Sequence, residues 1–319
     1  MLEFKKISCD TLGVMRDALC SGEDYYMIAR ERIGDLIASS DVHILNSANS
    51  CLLCVAEAVG GPVLVCDMGG WNGFIRSCEL FDKKVEYLET DYGLINIEVL
   101  GNYLEEHDIK SLYITSLAGY TAQQPLEKIQ ELCDVHDVVL IIDVSGTLGD
   151  EKNRELGDIQ VASTGSPKIV NIENGGFICN MTDKIVFNKH LLKSLKADNV
   201  TCAGIANEIR KAPEILEKSI QVNRQVKKTL LENEIPVIHP EYNGLNTIIP
   251  VSSKKRAKTL AYNMRKRLNM DGNIITTGPN YNRIKKASIN IEVKNLNMDT
   301  VTASDIACLC EIIIDELKE

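Results

Sequence analysis

A lysine, Lys168, lies between two strand-like segments in the stretch VASTGSPKIVNIENGGFICN, residues 161–180. Ser163 precedes this lysine, and a pair of glycines, Gly175 and Gly176, follows it. A lysine that is partly removed from water loses its proton readily, and the neutral amine attacks a carbonyl group to form a Schiff base. A solvated surface loop is the alternative that this stretch, taken alone, leaves open.

Three other polar features follow strand-like segments. Asp143 ends the apolar run VVLIID, and a carboxylate that leaves a buried strand needs a cationic partner such as a protonated ring nitrogen, an arginine or a metal ion. Trp71, the only tryptophan, follows the run VLVCD and is suited to stack on a flat heterocycle. Ser47 and Asn49 stand where a strand runs into a helix, and the N–H groups at such a helix N-terminus favour a phosphate.

Ligands of parallel α/β sheets collect at the carboxyl ends of the strands, so we expect these four features to lie close together. An aldehyde cofactor with a pyridinium ring and a phosphate uses all of them: the lysine on the aldehyde, the aspartate on the ring nitrogen, the aromatic ring over the cofactor, and the helix N-terminus on the phosphate. That cofactor is pyridoxal 5'-phosphate. Taken singly, Ser47 and Asn49 are also typical helix caps, and Trp71 is also a typical core residue.

Seven short apolar runs between residues 40 and 180 predict strands, several of them apolar on both faces. They cover residues 42–46, 62–67, 84–89, 111–116, 138–143, 159–164 and 176–180. Helical patterns lie between them, as in residues 96–108 and 125–137. Alternating strands and helices imply right-handed crossovers, so the predicted fold class is α/β with a mostly parallel seven-stranded sheet.

A different pattern follows residue 182, where the sequence predicts a smaller α/β unit whose strands need not be parallel. A long helical region, residues 207–234, is interrupted near Pro213. Further strands and helices are predicted at residues 245–251, 254–268, 273–277, 286–293 and 302–319. We therefore expect a large domain in residues 1–195 and a smaller C-terminal domain in residues 196–319.

The bulk composition excludes several classes of function. The net charge of −10 argues against nucleic-acid binding, because phosphate neutralisation needs a basic face, and the short basic runs SSKKRAK and MRKRL are typical of solvated helix faces. No signal peptide or membrane span is recognisable. Eleven cysteines without a regular framework favour free thiols in a reducing compartment, so we expect a cytoplasmic protein.

Two close cysteine pairs, Cys51 with Cys54 and Cys308 with Cys310, raise the alternative of a four-thiolate metal site. Both pairs lie in apolar, helix-like runs, where cysteine behaves as a small hydrophobic residue. None of the five histidines has metal-ligand spacing to another ligand type. We therefore expect no metal.

The sequence resembles the pyridoxal-phosphate enzymes of fold type I, the aspartate-aminotransferase fold. It is most similar to the DegT/StrS aminotransferases, which act on nucleotide-linked keto-sugars. The resemblance covers nearly the whole chain and rests on residues 17–53, on IIDVSGTLGD (141–150) and, most specifically, on residues 157–180. It implies that Lys168 forms the Schiff base with the cofactor and that Asp143 holds the ring nitrogen.

The same resemblance implies the other cofactor contacts and a homodimer. Phosphate would be bound by Ser163 and by the turn of Ser47, Ala48 and Asn49, and Trp71 would stack on the ring. Asn199 would reach the phosphate of the neighbouring subunit.

Several positions depart from the family pattern. Ala48 and Asn49 stand where Gly and Thr are usual, and Thr201 stands where an arginine is expected. Gly146 replaces a Gln or His that usually lies near the phenolic oxygen of the cofactor. These changes leave cofactor binding intact and affect the part that faces the substrate.

The leading hypothesis is an aminotransferase that moves an amino group from an amino acid donor to a small keto acceptor, such as a keto-sugar. Lys168 would also serve as the base at the donor's α-carbon. Another reaction of the same cofactor (a lyase, an aldolase-like enzyme, or sulfur or selenium transfer) and a non-catalytic binding module stay open. A desulfurase would need an exposed cysteine, for which Cys202 is the best candidate. Arg76 and Arg283 are both available for a substrate carboxylate, and spacing selects neither.

Overall fold

The computed structural model describes residues 2–280 and 283–318, and its first nine strands all precede residue 181. They are β1 (Asp41–Leu45), β2 (Val63–Cys66), β3 (Val85–Leu88), β4 (Ser111–Thr115), β5 (Leu117–Ala118), β6 (Ala122–Gln123), β7 (Val139–Asp143), β8 (Ile159–Ser163) and β9 (Gly176–Asn180). Seven of them form one sheet in the order β1-β9-β8-β7-β4-β2-β3, and β5 pairs with β6 in a separate hairpin. Each strand of the large sheet coincides with one of the seven predicted runs.

The large sheet is mostly parallel, as predicted. Only β9 runs antiparallel to its neighbours, β1 and β8. Neighbouring residues of one strand pack into two separate apolar clusters: Leu64 into one, and Val63 and Val65 into the other. A strand that is covered on both faces must be apolar at successive positions, which explains why the runs lack polar alternation.

Eleven α-helices are present in the described residues. They are α1 (Cys9–Asp17), α2 (Tyr25–Ile37), α3 (Ala48–Ala58), α4 (Asn72–Leu80), α5 (Ile97–Glu106), α6 (Leu126–Val135), α7 (Lys189–Ser194), α8 (Asn199–Glu208), α9 (Ala212–Glu232), α10 (Lys254–Leu268) and α11 (Ala303–Lys318). None of these helices combines the length and the apolar character needed to span a bilayer.

A second, antiparallel sheet is formed by β10 (Thr247–Pro250), β11 (Ile275–Asn280) and β12 (Ile284–Ile291), in the order β10-β12-β11. Helices α9, α10 and α11 contact one another or this sheet, whereas α8 contacts α1 and α2. The domain boundary placed after residue 195 stays a prediction.

The predicted interruption near Pro213 lies slightly before that residue. Helix α8 ends at Glu208, a short 3-10 turn follows, and α9 begins at Ala212 with Pro213 in its first turn. Proline has no N–H group, and the first turn of a helix is the place where that group is not needed. The proline therefore starts the second helix and does not kink a single one.

Gly69 connects three loops at the carboxyl edge of the large sheet. Its N–H donates to the carbonyl of Arg283 (3.1 Å), and its own carbonyl accepts from the N–H of Gly119 (3.0 Å) and the hydroxyl of Thr115 (3.1 Å). Gly69 has a φ of +98°, and an added Cβ would lie 2.8 Å from the Cα of Gly93. Only glycine allows this conformation and this close approach.

We expect Gly69→Ala to lower the free energy of unfolding by about 1–3 kcal/mol, since it combines a left-handed backbone with a steric overlap. The matched control is Gly70→Ala, whose Cβ would meet nothing closer than the Thr115 methyl group at 4.0 Å. Urea unfolding followed by circular dichroism measures both variants. Equal stability of the two variants would contradict the role given to Gly69.

Candidate functional site

A cavity of about 420 Å³ opens at the carboxyl ends of β4, β7 and β8, beside the N-terminus of α3. Seven of the eight residues that the sequence predicts for the site line it: Ser47, Ala48, Asn49, Trp71, Asp143, Ser163 and Lys168. These residues therefore lie close together around a single cavity, as the sequence predicts. Asn199 lies elsewhere, where its side-chain amide bonds to the backbone of Glu23 and Tyr25 (3.1 and 3.0 Å).

The first turn of α3 forms one edge of the cavity. Ser47 caps the helix by accepting from the N–H of Ser50 (3.1 Å), and the amide oxygen of Asn49 accepts from the indole N–H of Trp71 (2.9 Å). The N–H groups of a first helical turn have no partner within the helix. This edge therefore combines N–H donors, hydroxyl groups and the positive end of a helix dipole, a combination that suits an anion.

Asp143 is held at the end of β7 by two donors. One oxygen accepts from the N–H of Ser145 (2.9 Å), and the other accepts from the hydroxyl of Tyr113 (3.3 Å). Tyr113 is buried, and its ring stacks on Phe74 with 4.2 Å between the centroids. Burial, together with the charge of Asp143, raises the pKa of Tyr113 well above its ordinary value. Tyr113 therefore stays a proton donor to the carboxylate.

Lys168 is fixed at both its side chain and its backbone. Its Nζ donates to the hydroxyl of Tyr120 (2.5 Å), and its carbonyl accepts from Nζ of Lys5 (2.6 Å). Lys5 also donates to the carbonyl of Ile169 (3.0 Å), and burial lowers the pKa of Lys5 to about 8. A buried lysine thus holds the turn that carries Lys168.

Lys5 reaches this turn because the N-terminal segment is docked on the chain after β12. The N–H of Lys5 donates to the carbonyl of Asn295 (2.8 Å), and the N–H of Asn297 donates to the carbonyl of Glu3 (2.9 Å). Between these two bonds, Phe4 forms an antiparallel bridge with Leu296.

A buried ion group, consisting of Glu292, Arg283 and Lys294, lies against the cavity, and its two cations line the cavity wall. Both Nη atoms of Arg283 donate to Glu292, one of them at 3.1 Å, and Nζ of Lys294 lies 3.3 Å from the same carboxylate. Thr276 and Asn246 also donate to Glu292, at 2.7 and 2.9 Å. The Glu292 carboxylate therefore lies between two buried cations and offsets their charge.

The pKa values in this group follow from burial and charge. Burial by itself would raise the pKa of Glu292, but the charges of Lys294 and Arg283 outweigh it and hold the pKa at about 2. Burial lowers the pKa of Lys294 to about 8, although Glu292 acts in the opposite direction.

Sequence reasoning missed several polar cavity residues, among them Tyr120, Ser145 and Lys294. Ser145 and Tyr120 come shortly after β7 and β4. A search of every residue just after a predicted strand would therefore have found them. Lys294 follows β12 of the second sheet, and nothing in the sequence indicated that this sheet contributes to the site. Of the two candidate arginines, Arg283 lines the cavity, whereas Arg76 lines an adjoining groove that shares Asn49 and Trp71 with it.

The cysteines take no part in the cavity wall. All eleven are free thiols, and none is among the described residues that line the cavity. Burial raises the pKa of Cys202 to about 12, so the thiol that the sequence offered for a desulfurase is both buried and protonated. Within residues 2–280 and 283–318, no cluster of three His, Cys, Asp or Glu side chains has the geometry to hold a metal ion.

Comparison with known proteins supports the fold. The chain superposes on the aminotransferase PseC of Helicobacter pylori, involved in the biosynthesis of pseudoaminic acid, with a TM-score of 0.79 at 12% identity, covering 99% of this chain and 98% of that one. A serine palmitoyltransferase from S. paucimobilis gives 0.78 at 10% identity over 98% and 84% of the two chains. A NifS-like protein gives 0.75 at 14% identity over 99% and 97%.

At these identities the likeness shows the fold alone, and that fold is the pyridoxal-phosphate-dependent transferase fold type I, as the sequence predicted. A family model described as the MJ1341 family C-terminal domain matches residues 213–314, the part that contains α9, α10 and the second sheet. No curated protein matches the chain.

We expect Glu292→Gln to lower the free energy of unfolding by about 3–5 kcal/mol, because it removes the buried negative charge that Arg283 and Lys294 share. The matched control is Glu214→Gln, which breaks the exposed pair with Lys218 (2.7 Å) on α9 and should leave stability unchanged. Urea unfolding at neutral pH measures both. A Glu292→Gln protein as stable as the control would show that the ion group contributes nothing.

The pH dependence of stability provides a separate test of the same group. The pKa of Glu292 is lowered from 4.5 to about 2 in the folded chain, so its ionisation stabilises the fold above pH 4.5. This contribution is lost as the pH falls from 4.5 towards 2. We therefore expect the difference in unfolding free energy between the wild-type and Glu292→Gln proteins to narrow over that interval. A constant difference would contradict the lowered pKa.

Proposed function

We propose that the chain is a pyridoxal-phosphate-dependent enzyme, and specifically an aminotransferase of the DegT/StrS type. It would transfer an amino group from an amino acid donor to a small keto acceptor, such as a keto-sugar. The observation that carries the proposal is that the Lys168 amine and the Asp143 carboxylate line one cavity, whose edge is the N-terminus of α3.

The residues present fit the cofactor in chemical type. Lys168 offers an amine for an aldehyde, Asp143 offers a carboxylate for a ring nitrogen, and the α3 edge offers N–H and hydroxyl donors for a phosphate. Gly176 keeps this edge open, because a Cβ at that position would lie 2.8 Å from the backbone nitrogen of Ala48. Ser163 ends β8 on the same cavity.

When bound, pyridoxal phosphate supplies an aldehyde that condenses with amines and a ring that withdraws electrons from the carbon next to the amine. Nζ of Lys168 would bond to the cofactor and, once displaced by the donor, take and return the proton of the donor's α-carbon. Asp143 would hold a proton on the ring nitrogen, and Trp71 would cover one face of the ring. Tyr113 and Ser145 keep Asp143 in position.

An amino acid donor is favoured by the cations on the cavity wall. Arg283 lines the cavity and is held by Glu292, so its guanidinium is positioned before any substrate arrives. A guanidinium is the usual partner of a substrate carboxylate. Transamination is also supported by the likeness to PseC, which extends over nearly the whole length of both chains. Sulfur transfer is less favoured, because no cysteine is among the described residues that line the cavity, although the NifS-like protein superposes over a similar length.

A homodimer is part of the proposal. Trp71 keeps 42% of its surface exposed in the single chain, and Leu80 at the end of the adjoining helix α4 keeps 72%. A second copy that covers this region would exclude water from the cavity mouth. Asn199 would then act on the partner's cofactor, and the free thiols are consistent with a cytoplasmic location.

We expect purified protein incubated with pyridoxal phosphate and then reduced with borohydride to carry the label on the peptide that contains Lys168. Lys168→Ala should lose this label and all turnover with a panel of amino donors and keto acids. Lys184→Ala, which removes an exposed lysine paired with Asp137 at 3.0 Å, is the control and should keep both properties.

The possible outcomes separate the candidate functions. Labelling at Lys168 with amino transfer supports the proposal as stated. Labelling with elimination or carbon–carbon cleavage would replace the aminotransferase by a lyase or an aldolase-like enzyme. An unlabelled protein would overturn the cofactor assignment and favour a binding module on the same fold.

A further inference from the structure

Tyr120 stands at the tip of the β5–β6 hairpin, in a backbone conformation that its surroundings impose. Its φ is +65°, which is uncommon for a residue with a side chain. Its carbonyl accepts from the N–H groups of Leu245 and Asn246, at 2.7 and 2.9 Å. The next carbonyl, that of Thr121, accepts from Nζ of the buried Lys227 at 2.9 Å. The hairpin tip is therefore held by the chain around β10 and by α9.

The side chain of Tyr120 lies among cations and touches the proposed reacting amine. Its hydroxyl accepts from Nζ of Lys168 at 2.5 Å. The centroid of its ring is 5.0 Å from that same nitrogen, 5.2 Å from Nζ of Lys294 and 6.0 Å from Cζ of Arg283. The face of an aromatic ring attracts cations, so these contacts hold the ring in place while the hydroxyl points at Lys168.

The ring of Tyr120 occupies the space next to Gly146. An added Cβ on Gly146 would lie 2.9 Å from Cε1 of Tyr120 and 3.1 Å from Cδ1 of Leu117. Gly146 has an ordinary negative φ, so a larger residue is excluded there by space and not by backbone conformation. Gly146 is also the position where the sequence departs from the expected Gln or His. The glycine and the tyrosine thus complement each other.

We propose that Tyr120 is a catalytic residue of this site, and that its phenol fills the place left open by Gly146 and holds the Lys168 amine. The hydroxyl accepts one N–H of Lys168 at 2.5 Å, which fixes the direction of the amine in the cavity. The chemistry at Lys168 rests on the proposed function. The contact between the two side chains does not, so it is tested first in protein without cofactor.

The first experiment measures the rate at which acetic anhydride labels Lys168 in cofactor-free protein at neutral pH, by mass spectrometry of the Lys168 peptide. Tyr120→Phe removes a hydroxyl that accepts from the Lys168 amine and restrains it, so labelling should become about tenfold faster. Tyr103→Phe is the matched control, because it removes a hydroxyl that donates to Glu86 (2.7 Å) outside the cavity, and it should leave the rate unchanged. An unchanged rate in Tyr120→Phe would overturn the proposal.

In the cofactor-loaded protein, Tyr120→Phe should lower turnover about 10- to 100-fold, the range expected for loss of one hydrogen bond to a charged group. It should leave the borohydride-reduced label on the Lys168 peptide. Full turnover would overturn the catalytic role. Absence of the label from wild-type protein would instead overturn the proposed function, while the labelling rates in cofactor-free protein would still decide the contact.

The second experiment uses a double-mutant cycle in thermal unfolding to test whether Gly146 and the Tyr120 ring depend on each other for space. Gly146→Gln alone should lower the unfolding temperature, because its side chain meets the Tyr120 ring. Tyr120→Gly removes the ring and suits the positive φ, and in that background Gly146→Gln should cost little or nothing. Additive effects of the two substitutions would contradict the complementarity of these positions.

Discussion

The wall of the cavity depends on the hydrogen bonds that hold the β5–β6 hairpin between the two sheets. The carbonyl of Gly69 binds the hairpin from the large sheet, and two N–H groups, those of Leu245 and Asn246, bind it from the small one. Tyr120 therefore belongs to neither sheet, yet its position is fixed by both. Buried backbone groups that lose such partners are costly, so the hairpin tip cannot shift without disturbing both sheets. This rigidity is what a reacting amine needs in a neighbouring residue.

Buried lysines recur around this junction, and two of them act on backbone carbonyls. Lys5 donates to the turn that carries Lys168, and Lys227 donates to three carbonyls, including that of Thr121 next to the hairpin tip. Burial lowers the pKa of each to about 8. Lys294 differs, because it is balanced by a carboxylate and lines the cavity itself. An ammonium group has several donors and can hold several carbonyls at once, so these lysines fasten the loops that carry site residues.

The sheet and most of the predicted cavity residues could be read from the sequence for a physical reason. Strands covered on both faces must be apolar throughout, so each run was visible by itself, and Asp143 was visible as the charge that ends one of them. Tyr120, Arg283 and Lys294 reach the cavity through a hairpin and a second sheet, and that placement depends on tertiary contacts with no local signature. For the same reason, spacing could not select between Arg283 and Arg76. The interruption near Pro213 was predicted. That the proline starts α9 became clear only from the short turn between α8 and α9.

The docking of Lys5 has a consequence for the order of folding. Lys5 and the carbonyl it binds on Lys168 are separated by 163 positions, and the nearby contact of Glu3 with Asn297 spans 294. Contacts of such long range form only after the intervening chain has closed its loops, and during synthesis the docking of Glu3 on Asn297 must wait until residue 297 has left the ribosome. The strands of the large sheet can pair earlier. The turn that carries Lys168 would therefore receive its last support only when nearly all of the described chain is in place, so a nascent or truncated molecule would have the sheet but not a finished site.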